Sequence, residues 1–233
     1  MCRLPAFLRT LAACDGRRVE TLVETARCLR EAGYLPPSKR GVGATPVDDI
    51  QAANLLIACM TCDQPSAAPR ALEVYRGLKN KFRGGFGKGL PSLELVARCE
   101  TFGQAMSTLI AVAPNLKAEA IRVLATLYDI HSPERLLALD AVVIEVTVSR
   151  PVPHAQLSLK IANEVGIPTE MFSAEWVLDS ERLIGGGYGP ELQAGQADRR
   201  TTTTITHRTI FKLADLIADP AEDDEAVEEL SYA

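Results

Sequence analysis

The chain has 233 residues and a formal net charge of −5, with 47% hydrophobic and 24% charged residues. That apolar content excludes a wholly disordered chain and indicates one large domain or two small ones. The mean charge argues against a nucleic-acid binder, but it is unevenly divided: residues 1–100 hold 15 Lys+Arg against 10 Asp+Glu, and residues 101–233 hold 10 against 20.

Taken in chain order, Pro5 to Ala13 spaces Phe7, Leu8, Leu11 and Ala12 as a helix does. Asp15-Gly16 marks a turn. Arg17 to Ala32 repeats Val19, Leu22, Val23, Ala26 and Leu29 at intervals of three and four, an amphipathic helix with Gly33 as its C′ residue. Pro36-Pro37 forbid continuation. Ser38 to Thr45 is a basic, glycine-bearing loop, and Thr45 is expected to cap the next helix with Pro46 at its first position. That helix runs to about Cys62, and a short helix covers Ala71 to Lys79. Lys79 to Gly89, KNKFRGGFGKG, reads as a basic glycine loop. Leu93 to Ala113 and Leu116 to Tyr128 read as two further helices.

The periodicity then changes. Val142, Ile144, Val146 and Val148 alternate, as do Leu157, Leu159 and Ile161, so both stretches are expected as strands. Met171 to Leu178 and Arg200 to Thr206 are weaker strand candidates, and Thr209 to Ile217 returns to helical spacing. The expected class is α+β: a helical N-terminal part, helix-turn-helix-like with a basic loop, then a small antiparallel sheet and a closing helix. The organisation expected is a helical, DNA-binding unit at 1–80, a glycine-rich loop and helical middle at 81–138, a β-rich unit at 139–218 and an acidic disordered tail at 219–233. That tail carries Asp219, Glu222, Asp223, Asp224, Glu225, Glu228 and Glu229 with no basic residue among them.

Catalytic and metal motifs are tested and rejected. A phosphate-binding loop needs GxxxxGK[ST] between a strand and a helix. Here Gly87-Lys88 is followed by Gly89, and Phe82 stands where the first glycine belongs. Cys59 and Cys62 form a CxxC with no second pair to complete a zinc site, so they read as structural thiols near a helix end. His131, His154 and His207 are far apart in sequence, and Glu145 alternates with apolar residues and is expected to face solvent. A cluster joining a histidine to Glu145 or Asp140 is the arrangement that would carry catalysis. The expectation is therefore no enzyme, no cofactor and no metal.

Basic residues supply the positive argument. Arg17, Arg18, Arg27, Arg30, Lys39 and Arg40 fall on one helix and its exit loop, and Arg27 and Arg30 are spaced to share a face. Lys79, Lys81, Arg83 and Lys88 surround Phe82 and Phe86, a mixture that can hold phosphates and stack bases. These ten cations are the candidate DNA-binding residues. The alternative is an ordinary solvated face, since Glu20, Glu24 and Glu31 interleave with the arginines.

The stretch CLREAGYLPPSKRGVGATPVDD, Cys28 to Asp49, resembles the helix-to-wing passage of winged helix-turn-helix proteins, among them MerR-type regulators and phage small terminase subunits. The resemblance implies a wing-like loop at Lys39 and Arg40, with Arg27 and Arg30 on the helix before it. It implies a phage- or prophage-type protein, a transcription regulator or a small-terminase-like recognition subunit. Its partners would be double-stranded DNA and further copies of itself, in the cytoplasm of a bacterial or phage-infected cell, with no membrane association. The alternative expectation is a non-catalytic oligomeric interaction or virion-associated protein.

Overall fold

The computed structural model describes residues 2–37, 46–85, 89–128, 132–162, 167–179 and 201–218, with the side chains of Phe82 and Arg83 outside that description. Leu4–Asp15 forms α1. Pro5 lies in its first turn, where no N–H is needed, and Phe7, Leu8 and Leu11 are buried along one face. Gly16 ends it in the left-handed region, φ 77°, where a side chain would be strained. The second helix, α2 (Val19–Glu31), buries Leu22, Ala26 and Leu29. It ends in a Schellman arrangement: Tyr34 N–H donates to Leu29 O at 2.9 Å and Gly33 N–H to Arg30 O at 3.0 Å. Gly33 is the expected C′ residue.

The start of α3 (Asp49–Thr61) corrects the expected cap at Thr45. Asp48 is the N-cap, and its carboxylate accepts the Gln51 N–H at 2.8 Å and the Gln51 side-chain amide at 2.9 Å. Val47, just before it, is buried and donates its N–H to Cys2 O, which ties the helix entry to the chain start. A 3-10 turn (Pro65–Ala67) leads into α4 (Ala68–Arg76).

The stretch after α4 departs most from its sequence reading. Lys79–Gly85, expected within a loop, is a strand, β1, antiparallel to a later strand β4 (Pro168–Val177). Glycines and lysines signal loops locally, but strand formation depends on what lies alongside, and lysine suits a strand at the edge of a sheet. Its outer side is partly covered, because Asn80 N–H donates to Glu100 O at 2.9 Å and Phe102 N–H to Leu78 O at 3.0 Å.

Two helices were expected to divide near Pro114. They divide instead at Arg98–Thr101, between α5 (Pro91–Ala97) and the 27-residue α6 (Phe102–Tyr128). Thr101 and Gln104 form a capping box, with Gln104 N–H donating to Thr101 Oγ1 and Thr101 N–H to Gln104 Oε1. Pro114 costs α6 one backbone hydrogen bond, but Leu109, Ile110, Leu116, Ala120 and Leu124 are buried on either side of it and carry the helix through.

A short α7 (Pro133–Ala138) precedes β2 (Val142–Arg150) and β3 (His154–Ala162). After β4, β5 (Thr201–Thr206) runs directly into α8 (His207–Ala218). The five strands form one antiparallel sheet in the order β1-β4-β3-β2-β5. Val142, Ile144, Val146, Leu157, Leu159, Ala174 and Trp176 line its buried face and share one hydrophobic core with the helices. The architecture is the α+β class expected: N-terminal helices, an antiparallel sheet and a closing helix.

The opposite face of the sheet is polar. Glu145 lies there, as its alternation implied, but it is half-buried and accepts a hydrogen bond from Lys160 Nζ at 2.5 Å. Tyr75 Oη donates to Ser149 O at 2.7 Å and fastens α4 to β2. No helix of the described residues is long and apolar enough to cross a membrane.

Candidate nucleic-acid interface

The two ends of α2 place their arginines differently. Arg17 turns inward at the entry. Its guanidinium donates to Cys62 O at 3.1 Å and to Cys59 O, and also pairs with Asp15. These are carbonyls at the C-terminal end of α3, which have no partner within that helix and carry its negative dipole end. Burial works against the Arg17 charge, but the adjacent Asp15 carboxylate holds its pKa above the usual arginine range. Arg17 is thus a C-terminal cap for α3.

The CxxC sits under this cap. Burial pushes the Cys59 thiol up to about 12 and the Cys62 thiol up to about 11. Both are free thiols, and Cys62 Sγ donates to Ala58 O at 3.1 Å. A protonated, buried thiol is a packing group and not a nucleophile. Among the described residues, no three His, Cys, Asp or Glu side chains gather as a metal site.

Along the exposed side of α2, Arg27 is shared between Glu24 and Glu31, at the i−3 and i+4 positions. Arg18 is exposed at the helix start. Arg30, at the other end, lies twelve residues further on, about 18 Å along a helix axis. It is half-buried, and its Nε is itself buried with no partner among the described residues. It borders a groove of about 550 Å³ between the end of α2 and the start of α3, with Tyr34, Pro36, Pro37 and Ile50 among its walls. The two carboxylates at this groove are already engaged, Glu31 by Arg27 and Asp48 by Gln51.

The second basic stretch is dispersed. Lys79 Nζ donates to Glu100 Oε1 at 2.7 Å and holds that carboxyl below the usual range. Lys81 is exposed where the β1 register shifts. Arg83 stands opposite Ala174 in the β1–β4 register. Lys39, Arg40, Lys88 and Phe86 lie outside the described residues. The ten candidate cations therefore do not form a single surface among those described.

One cation that sequence reading passed over belongs to this region. Arg76, in the last turn of α4, holds its guanidinium 5.7 Å from the centre of the Tyr34 ring. Tyr34 is fixed in turn by Asn54 Nδ2, which donates to its carbonyl at 3.0 Å. Gly103 makes room for this, since a Cβ there would meet the Arg76 side chain and carbonyl at 3.2 Å. Only the helical spacing of Arg76 was visible in the sequence, not the ring it faces.

The histidine–carboxylate arrangement also has a counterpart. His207 Nε2 lies 3.8 Å from Asp140 Oδ1, and Arg208 binds the same carboxylate at 2.8 and 2.9 Å. His207 is 3% exposed, and its buried Nδ1 has no well-formed hydrogen bond among the described residues, although the Leu137 backbone lies close to the imidazole. A general base must reach its substrate directly or through one water, and this imidazole is closed off from solvent. Burial lowers its pKa below the usual histidine value, and the nearby Asp140 offsets only part of that effect. Comparisons with protein-family models, with curated proteins and with solved structures return no match to this chain.

Proposed function

We propose that the protein is a non-catalytic, duplex DNA-binding protein that holds phosphates at the exit of α2. The observation that carries this reading is the setting of Arg30 and Arg76. Arg30 and Tyr34 line one groove and Arg76 lies against the Tyr34 ring, where the chain leaves α2 toward Lys39 and Arg40. Pro37 and Pro46 bracket the SKRGVGAT segment, so its two cations are tethered within a few residues of the groove. Glu31 at the groove is paired with Arg27, and Arg30 itself has no ion pair among the described residues, which leaves its charge without a direct partner. Arg17, Arg27 and Lys79 are engaged elsewhere and are not part of this contact. A regulator or a small-terminase-like subunit, as the winged-helix resemblance implies, would use such a contact for positioning on the duplex.

Fluorescence anisotropy with a labelled duplex over a salt series tests the reading. Binding at low salt is expected, with a log–log slope that falls by about 1 for each phosphate contact removed. Lys39→Ala with Arg40→Ala, and separately Arg30→Ala with Arg76→Ala, are each expected to lower the slope. No binding at low salt, or a slope unchanged in both double variants, overturns it.

A second reading, a self-associating interaction protein, is favoured by one feature. Among the described residues β5 is hydrogen-bonded on one side only, to β2. Light scattering with and without DNA separates the two, since a stable oligomer indifferent to DNA supports the second.

A further inference from the structure

Beside α8 lies a second groove, of about 560 Å³, bordered by Lys117, Arg208, Phe211, Lys212, Leu216 and one carboxylate, Asp215. Three cations from two helices converge on it. Lys117 pairs with Asp215 at 2.8 Å and Arg208 with Asp140 at 2.8 Å, and all four side chains are 42–59% exposed. Such pairs contribute little and exchange readily with another carboxylate. Lys212 is exposed and has no ion pair among the described residues. Phe211 is buried and gives the groove an apolar wall.

The segment that follows α8 matches this groove in charge. Residues 219–233 carry seven carboxylates and no Lys or Arg, and Val227 and Leu230 lie among or just after the acids. The segment is attached two residues beyond Leu216, one of the groove's own wall residues. A short tether converts docking into an intramolecular event with an effective concentration on the order of millimolar. Fifteen residues span up to about 50 Å when extended, so length does not limit access. We infer that this groove is the docking site of the chain's own acidic segment, 219–233. The inference does not depend on the DNA reading, because its cations are on α6 and α8 and not at the α2 exit.

Zero-length carbodiimide cross-linking of the full-length protein at low salt tests it, with unlabelled and ¹⁵N-labelled protein mixed before reaction. Lys212 is expected to join carboxylates between 222 and 229 within a single isotopic chain, and the Lys117–Asp215 pair serves as an internal standard for the chemistry. At about 1 M NaCl, where the Debye length is ~3 Å, the Lys212 product is expected to disappear. A full-length variant with all seven acids changed to Asn or Gln is expected to raise acetylation of Lys212 several-fold while leaving exposed Lys81 unchanged. Absence of Lys212 products at low salt while Lys117–Asp215 forms overturns the inference. Products only between different isotopic chains, or an unchanged Lys212 acetylation rate in the neutral variant, overturn it as well.

Discussion

Arg17 and Arg30 bracket the same helix, carry the same charge and look alike in sequence, yet they meet opposite surroundings. Arg17 faces the end of α3, where two carbonyls wait for donors, and its fork geometry answers both. Arg30 faces a groove whose two carboxylates already have partners. The difference shows that the function of a cation is decided by what stands opposite it and not by the density of charge around it. One arginine is used up by the fold, and the other is left with no ion pair among the described residues.

Replacing Arg17 is expected to have the largest effect. Arg17→Ala removes two charge-assisted hydrogen bonds and leaves buried carbonyls unpaired, for a cost of about 2–4 kcal/mol in urea unfolding. Arg17→Lys is expected to recover only part, because an ammonium offers its donors from one nitrogen and lacks the planar fork that reaches the two carbonyls from separate NH groups. Reaction of Cys59 and Cys62 with a thiol reagent at neutral pH should be slow in the native protein and faster in Arg17→Ala, since the cap covers both. Arg17→Ala that unfolds like the native chain would contradict this role.

Much of the fold was legible because its signals are local. Gly33 as a helix end, the Val142–Val148 alternation and the helical spacing of α8 each lie within a few residues. The T-x-x-Q capping box at Thr101 was also available, but Pro114 gave the more conspicuous signal and drew the helix break to the wrong place. What could not be read was long-range pairing. Arg17 meets carbonyls 42 and 45 residues away, β1 meets a strand about 90 residues on, and Arg76 meets Tyr34. The basic, glycine-rich sequence of β1 described its composition correctly and its partner not at all.

Acidification separates the Arg17 cap from the other buried polar cluster. An arginine stays charged across the accessible range, so the cap is insensitive to mild acid. His207 is different: burial depresses its folded-state pKa below 6.5, so the unfolded chain takes up the proton first. Its contribution to stability is complete above pH 6.5 and is lost as pH falls through the folded value. The melting temperature is expected to drop between pH 7 and pH 5, and His207→Gln should flatten that profile while leaving the stability difference between native and Arg17→Ala unchanged. A pH profile identical in His207→Gln and the native protein would place the acid sensitivity elsewhere.

The smallest effects lie along the later part of α2 and discriminate most finely. Arg30→Ala removes a half-buried side chain whose buried Nε is unpaired among the described residues, so it should change stability by about 1 kcal/mol or less while lowering the salt slope of DNA binding by about 1. Arg27→Ala, one helical turn earlier, removes a cation held between Glu24 and Glu31 on a fully exposed surface. Its loss should leave the melting temperature unchanged within error, but it frees Glu31 at the groove beside Arg30, so duplex affinity should fall modestly with less loss of salt slope than Arg30→Ala gives. A slope that falls as much for Arg27→Ala as for Arg30→Ala would mean that DNA strips Arg27 from its glutamates, and the contact would then extend along the helix and not stop at its exit.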